Sequence, residues 1–246
     1  TCKIFNIDTR QSVMSFTPSE TALWTCAFNK SRDNQVIFGA QNGITYIYDT
    51  KKPNEILHTI ETLNRTPVKW IVAVNKTEAF PHGGFFVVQV RGLYFYEYHN
   101  GYELRQTKLN FDDSVLTATY DDKTEMLLIT TAAMEQTFHI LTRLIKVDDI
   151  PVLQEVCRLP ANRLAGGIPK FTRPTQIKVP DGFIVACYMD ETKDLQIHTP
   201  SSKLHSIVMQ NAISDICPLY SDNAIVAFAA LAPLKCRIYK VNLEYR

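Results

Sequence analysis

The chain has 246 residues, of which 46% are hydrophobic, and it carries 26 Lys and Arg against 25 Asp and Glu. That apolar content can fill the core of one large domain or two small ones. A formal net charge of +1 excludes a global electrostatic pull toward nucleic acid or anionic lipid, and no apolar run approaches a membrane span.

In chain order, residues 2–8 and 12–16 read as two short strands, the third and fourth of an incomplete unit. Pro18 and Ser19 punctuate. Three apolar runs follow at 23–28, 36–39 and 45–48. The gap between the first two is polar (Asn29, Lys30, Ser31, Arg32, Asp33, Asn34). The second gap holds Gln41-Asn42-Gly43, and Asn-Gly signals a hairpin because both residues tolerate positive φ. With an outer strand at 55–60, these runs make a four-stranded meander. A sheet this small cannot bury its own faces, so it must stack on copies of itself.

Copies are present. The Tyr46-Ile47-Tyr48-Asp49 ending recurs loosely at Ile4-Phe5-Asn6-Ile7-Asp8, Leu93-Tyr94-Phe95-Tyr96-Glu97, Leu195-Gln196-Ile197-His198 and Arg237-Ile238-Tyr239-Lys240. Phe138-His139-Ile140-Leu141 is a weaker version. The intervals, roughly 40 to 60 residues, are those of four-stranded propeller blades. Further strands are expected at 68–74, 85–90, 93–98 and 103–109, with turns at Arg91-Gly92 and Asn100-Gly101. The next set is 115–120, 126–131, 138–145 and 152–159. Residues 160–174, with Pro160, Pro169, Pro174 and Gly166-Gly167, read as a long connecting loop. Strands resume at 175–179, 183–189, 195–199 and 204–209, and again at 213–217, 224–228 and 237–241.

The expectation is an all-β, WD40-type β-propeller, a partial ring of four complete blades and two incomplete ones. The complete blades are 22–60, 67–109, 114–159 and 172–209, and the partial ones are 1–17 and 213–242. The repeats are degenerate, since no Trp-Asp pair occurs. With no initiator Met and an opening on a third strand, the chain is expected to be a fragment of a longer protein.

Six cysteines (Cys2, Cys26, Cys157, Cys187, Cys217, Cys236) are scattered singly. Without C-x-x-C pairs they read as free core thiols in a reducing compartment. Asn29-Lys30-Ser31, Asn64-Arg65-Thr66 and Asn75-Lys76-Thr77 are formal glycosylation acceptors, read here as chance matches in polar turns.

Catalytic chemistry is sparse. His58, His82, His99, His139, His198 and His205 are dispersed and read as turn and outer-strand residues. Asp112-Asp113, Asp121-Asp122 and Asp148-Asp149 are neighbours in sequence, which point apart on a strand, and they read as solvated turns. Gly83-Gly84 and Gly166-Gly167 precede no helix, so no phosphate cradle is implied. An enzymatic propeller needs acids or metal ligands converging on its innermost strands. Those strands offer Trp24, Trp70, Val115, Thr175 and Ile213 instead. No catalytic site and no cofactor are expected in this chain.

Two sets of residues suit partner binding. Trp24, Arg65, Trp70 and Arg91 are the aromatic and guanidinium types that anchor interfaces. Packing within the propeller is the plainer role for the two tryptophans. Arg158, Arg163, Lys170 and Arg173 lie on a stretch without acids, suited to an acidic peptide or phosphate backbone, or simply a solvated basic loop.

Several of these pieces together resemble a known family. They are Leu23-Trp24-Thr25-Cys26, Phe38-Gly39-Ala40-Gln41-Asn42-Gly43 leading to Tyr46-Ile47-Tyr48-Asp49, Ala79-Phe80-Pro81-His82-Gly83-Gly84, Asp215-Ile216-Cys217-Pro218 and Ile238-Tyr239-Lys240. In that order they resemble the C-terminal WD-repeat region of the RING-finger and WD-repeat E3 ubiquitin ligases that act with replication protein A. The Ala-Phe-Pro-His-Gly-Gly run is the most specific of them. The resemblance implies an upstream RING domain that binds zinc, then a coiled coil, then this propeller. It implies a nuclear protein that docks on replication protein A at stalled forks and crosslinks, where ubiquitylation of that complex and of the recombinase promotes repair. None of the RING ligands is in this chain, so the resemblance makes it the recruiting half of a ligase, binding protein partners and requiring no direct contact with nucleic acid.

Overall fold

Short strands joined by tight turns pair antiparallel with their sequence neighbours, and the computed structural model has that character throughout. It describes residues 1–18, 21–62, 65–99, 103–111, 114–133, 136–163, 172–220 and 226–241, and contains no helix among them. The first sheet has two strands, β1 (Cys2–Asn6) and β2 (Gln11–Phe16). The second is β3 (Leu23–Phe28), β4 (Gln35–Ala40), β5 (Thr45–Asp49) and β6 (Ile56–Ile60). The third is β7 (Val68–Val74), β8 (Gly84–Gln89), β9 (Gly92–His99) and β10 (Glu103–Leu109). The fourth is β11 (Ser114–Asp121), β12 (Met126–Ala133), β13 (Gln136–Val147) and β14 (Ile150–Arg163). The fifth is β15 (Thr175–Val179), β16 (Gly182–Met189), β17 (Asp194–His198) and β18 (Lys203–Val208). The last has three strands, β19 (Asp215–Tyr220), β20 (Val226–Ala232) and β21 (Lys235–Lys240).

In each sheet the strands lie in sequence order, so every sheet is a meander, with four complete blades between two incomplete ones. The chain forms two units. One is Thr1–Val115 with the hairpin tip Lys146–Val152, and the other is Leu116–Ile145 with Leu153–Arg246.

Two expectations are corrected. β14 continues through Arg163, so residues 160–163 are strand rather than loop. It is the outer strand of its sheet, and an edge tolerates Pro151 and Pro160, whose missing N–H groups need not serve a neighbour. The last sheet begins at Asp215 instead of Ile213, because Ser214 closes onto Leu231 through its N–H (2.8 Å) before the ladder starts. Asn100-Gly101, Asp112-Asp113 and Gly166-Gly167 lie outside the described residues.

The core forms where sheet faces stack. All six residues of β4 and all six of β8 are buried. In the first unit Phe16, Phe38 and Tyr48 meet with ring centroids 5.2–5.8 Å apart. In the second, Ile177, Ile184, Leu195, Phe228 and Ala230 share one cluster. The Phe80 to Gly84 turn is built to fit this packing. Phe80 is buried edge-on to Phe95 at 5.1 Å. Gly83 has φ +66°, and a Cβ on Gly84 would lie 2.4 Å from the Tyr96 carbonyl oxygen, so neither position accepts a side chain without displacement.

The six thiols are all free; Cys187 is buried in the core and Cys2 and Cys157 pack against it half-buried, whereas Cys26, Cys217 and Cys236 are exposed. Burial raises the Cys187 thiol to about 12. The first sequon is closed off: Asn29 is 5% exposed and its amide is spent on Gln35 and Tyr98. Asn75 is exposed, and Asn64 lies outside the described residues.

Candidate interaction surface

Antiparallel order places the β4–β5 turn, the β6–β7 link, the β8–β9 turn and the start of each first strand at one end of their sheets. A buried glutamine fixes that end. Gln89 donates from Nε2 to the Gly43 carbonyl (3.1 Å) and to Thr62 Oγ1 (2.7 Å), and both Gln89 and Thr62 are buried. Gly43 makes the approach possible, since a Cβ there would sit 2.6 Å from the Arg65 carbonyl carbon. Gln41 N–H closes onto the Ala22 carbonyl at 2.9 Å, bringing the start of β3 to the same end.

All four residues of the first predicted set belong to this end of the first unit. Trp24 occupies a bulge between Leu23 and Thr25 and is 50% exposed. Arg65, also exposed, has φ 41° and pairs with Glu61 at 3.2 Å. Trp70 is half-buried opposite Val88. Arg91 is exposed in the β8–β9 turn and lines a groove of about 510 Å³ with Val90, Leu93, Lys108, Phe111 and Val115. Beneath the groove the Lys69 ammonium donates to the Val115 carbonyl, and burial lowers its pKa. Sequence reasoning missed Gln89, Thr62 and Lys69, because nothing in a strand pattern marks which polar side chain will be enclosed between blades.

The second set does not form one basic surface. Arg158 pairs with Glu155 at 2.9 Å and lies over the Phe138 ring at 5.5 Å. Arg173 makes a two-pronged contact to the Asp215 carboxylate, with Nε 3.0 Å from Oδ1, and its backbone bridges to the same residue. Both guanidinium groups thus pair with acids outside the acid-free stretch 157–174, Glu155 just before it and Asp215 well after it. The Arg163 side chain and Lys170 lie outside the described residues.

Two readings of titratable residues are also corrected. Asp121 is no solvated turn: it is 6% exposed and accepts from Thr124 N–H (2.8 Å) and Tyr220 Oη (2.8 Å). Tyr220 in turn accepts from Lys178 N–H (3.1 Å), so one acid ties the first strands of three sheets together. His139 is no surface residue. It is 4% exposed, its Nδ1 lies 3.1 Å from Thr130 Oγ1, and burial followed by the nearby His198 lowers its pKa to about 4. Among the described residues no three His, Cys, Asp or Glu side chains converge as metal ligands would.

A family model described as "E3 ubiquitin-protein ligase RFWD3 WD40 domain" matches residues 1–240. The chain belongs to the RFWD3 WD40 domain family. It is therefore a WD-repeat protein-interaction module, and the RFWD3-type propeller accounts for the stacked meanders. No curated protein matches the chain. Among solved structures it resembles one described as "Crystal Structure of Mitotic Checkpoint Complex", with TM-score 0.62 and 10% identity over 97% of this chain and 69% of that one. It also resembles "Dihydro-heme d1 dehydrogenase NirN in complex with DHE", with TM-score 0.58 and 11% identity over 97% of this chain and 49% of that one. At these identities the likeness shows the fold alone.

Proposed function

We propose that this chain is the recruiting module of a RING-type E3 ubiquitin ligase and delivers that ligase to replication protein A and other substrates during replication stress and crosslink repair in the nucleus. The observation that carries the reading is the match of residues 1–240 to the RFWD3 WD40 domain. Ubiquitin transfer itself would belong to an upstream RING with its zinc ions, and the present chain would supply only the choice of target. The rim bearing Trp24, Arg65, Trp70 and Arg91 supports such a role, because exposed aromatic and guanidinium groups on a rigid scaffold are what binding anchors are made of. Arg91 is the favoured anchor, since it lines a groove with apolar neighbours.

The test is association kinetics on immobilised replication protein A at several salt concentrations. The reading expects specific binding by the wild type. It also expects faster dissociation for Arg91→Ala with little change in association rate, costing at least about 2 kcal/mol if Arg91 is a central anchor. Absence of wild-type binding moves the module to a WD-repeat scaffold in another intracellular complex.

A further inference from the structure

Two thiols meet where the first sheet packs on the second. Cys2 on β1 is the register partner of Phe16, and Cys26 on β3 is the register partner of Phe38. Residues opposite one another on antiparallel strands share a face. The Phe16 and Phe38 rings lie 5.2 Å apart, and Cys2 packs on the cluster that holds both rings. Both thiols therefore lie in the seam between the two sheets, where the Cys26 S–H donates to the Cys2 sulfur. Both belong to the first unit. Cys26 is exposed and Cys2 half-buried, so the pair is open to small solutes from the Cys26 side. The other two exposed thiols are placed differently. Cys217 is on β19 and Cys236 on β21, with β20 between them. Two strand spacings come to about 9.5 Å, more than the Cα separation a disulfide can span.

We infer that Cys2 and Cys26 form a modification site, where a hydroperoxide oxidises the pair to a reversible disulfide that staples β1 to β3 and locks the first sheet onto the second. The exposed Cys26 reacts first. Its sulfur attacks a peroxide oxygen, the O–O bond breaks, and the released hydroxide or alkoxide takes up the thiol proton, leaving Cys26 as sulfenic acid. The Cys2 sulfur then attacks the Cys26 sulfur. The S–S bond forms, the S–O bond breaks, and hydroxide leaves with the Cys2 proton as water. One peroxide is reduced for two thiols oxidised, and a thiol reductant reverses the bridge. Burial, followed by the neighbouring Cys2, raises the Cys26 pKa. The pair thus rests as a dithiol and answers only to raised peroxide, as a cytosolic or nuclear redox site should. The bridge closes a loop over residues 2–26 and so restricts the unfolded chain.

Peptide mapping of the full-length protein tests this. The protein is treated with hydrogen peroxide, capped with iodoacetamide and digested without reduction. A linked Cys2–Cys26 peptide pair is expected, released by dithiothreitol, together with a rise of several degrees in Tm. Cys26→Ser, at an exposed position, is expected to keep the Tm of the untreated protein and to lose both the link and the rise. Cys2→Ser is expected to lose both as well. Cys217 and Cys236 are expected to be capped or oxidised singly, with no link between them. Recovery of Cys26 as sulfinic acid or as a capped thiol, with Cys2 also unlinked, overturns the assignment. A link that joins two molecules, seen as a covalent dimer, also overturns it. So does a link that raises Tm no more than peroxide raises that of Cys26→Ser.

Discussion

Asn29 Nδ2 donates to Tyr98 Oη across 2.7 Å, tying the loop after β3 to the end of β9, 69 residues later in the chain. Tyr98 Oη donates onward to Gln35 Oε1 at 3.0 Å, and all three residues are buried. Tyr98→Phe keeps the ring but leaves both amide side chains short of a partner. A loss of about 1–3 kcal/mol in urea-unfolding free energy is expected. An unchanged unfolding midpoint would mean that the network contributes nothing to the stacking of these two blades.

The same burial fixes the fate of the sequons. When the chain is expressed through a secretory pathway, glycopeptide mapping is expected to find Asn29 unmodified. Asn75, which is exposed, is the position open to modification.

At Gly43 the backbone has φ +85°, and an added Cβ would also lie 2.8 Å from Arg65 Cα. Gly43→Ala incurs the left-handed penalty of about 1–2 kcal/mol and must in addition displace the β6–β7 link. Chemical denaturation is expected to show a loss larger than that penalty alone. The variant should also weaken any partner that uses the rim, since Gln89 and Thr62 are hydrogen-bonded around this turn.

His139 makes stability depend on pH. Its pKa is lowered to about 4 in the folded chain, mainly by burial, against about 6.5 in an unfolded one. Between those values the unfolded state holds more protons, so stability is full above about pH 6.5 and falls as the pH drops toward 4, by about 3 kcal/mol in total. His198, also lowered by burial, acts in the same direction. Denaturation curves across this window are expected to flatten in a His139→Asn variant.

Arg173 is expected to behave as a structural residue. Its pair with Asp215 joins the segment before β15 to β19. Arg173→Glu places two carboxylates together and should lower Tm, while leaving the salt dependence of partner association unchanged. A slower association rate with an unchanged Tm would restore it to the binding surface.

The strands were legible because their punctuation is local: Asn42-Gly43 and Arg91-Gly92 turn the chain where hairpin chemistry says they should. The blade repeat followed from the same signals. What the sequence concealed was which polar side chains the stacking would enclose. Asp121, His139 and Asn29 all look like surface residues in their local windows, and all are buried by sheets distant in sequence. The basic stretch misled for the same reason, because Asp215 reaches Arg173 from 42 positions downstream. The rim was half legible: Trp24, Arg65, Trp70 and Arg91 are recognisable by type, whereas Gln89 holds the turn in place without any pattern to announce it.

The central claim is that this module chooses the ligase's target. In the full-length ligase, the module is exchanged for an unrelated propeller, and ubiquitylation of replication protein A is measured beside the ligase's self-modification. The account predicts that modification of replication protein A is lost while self-modification persists. Undiminished ubiquitylation of replication protein A by the exchanged ligase would contradict it.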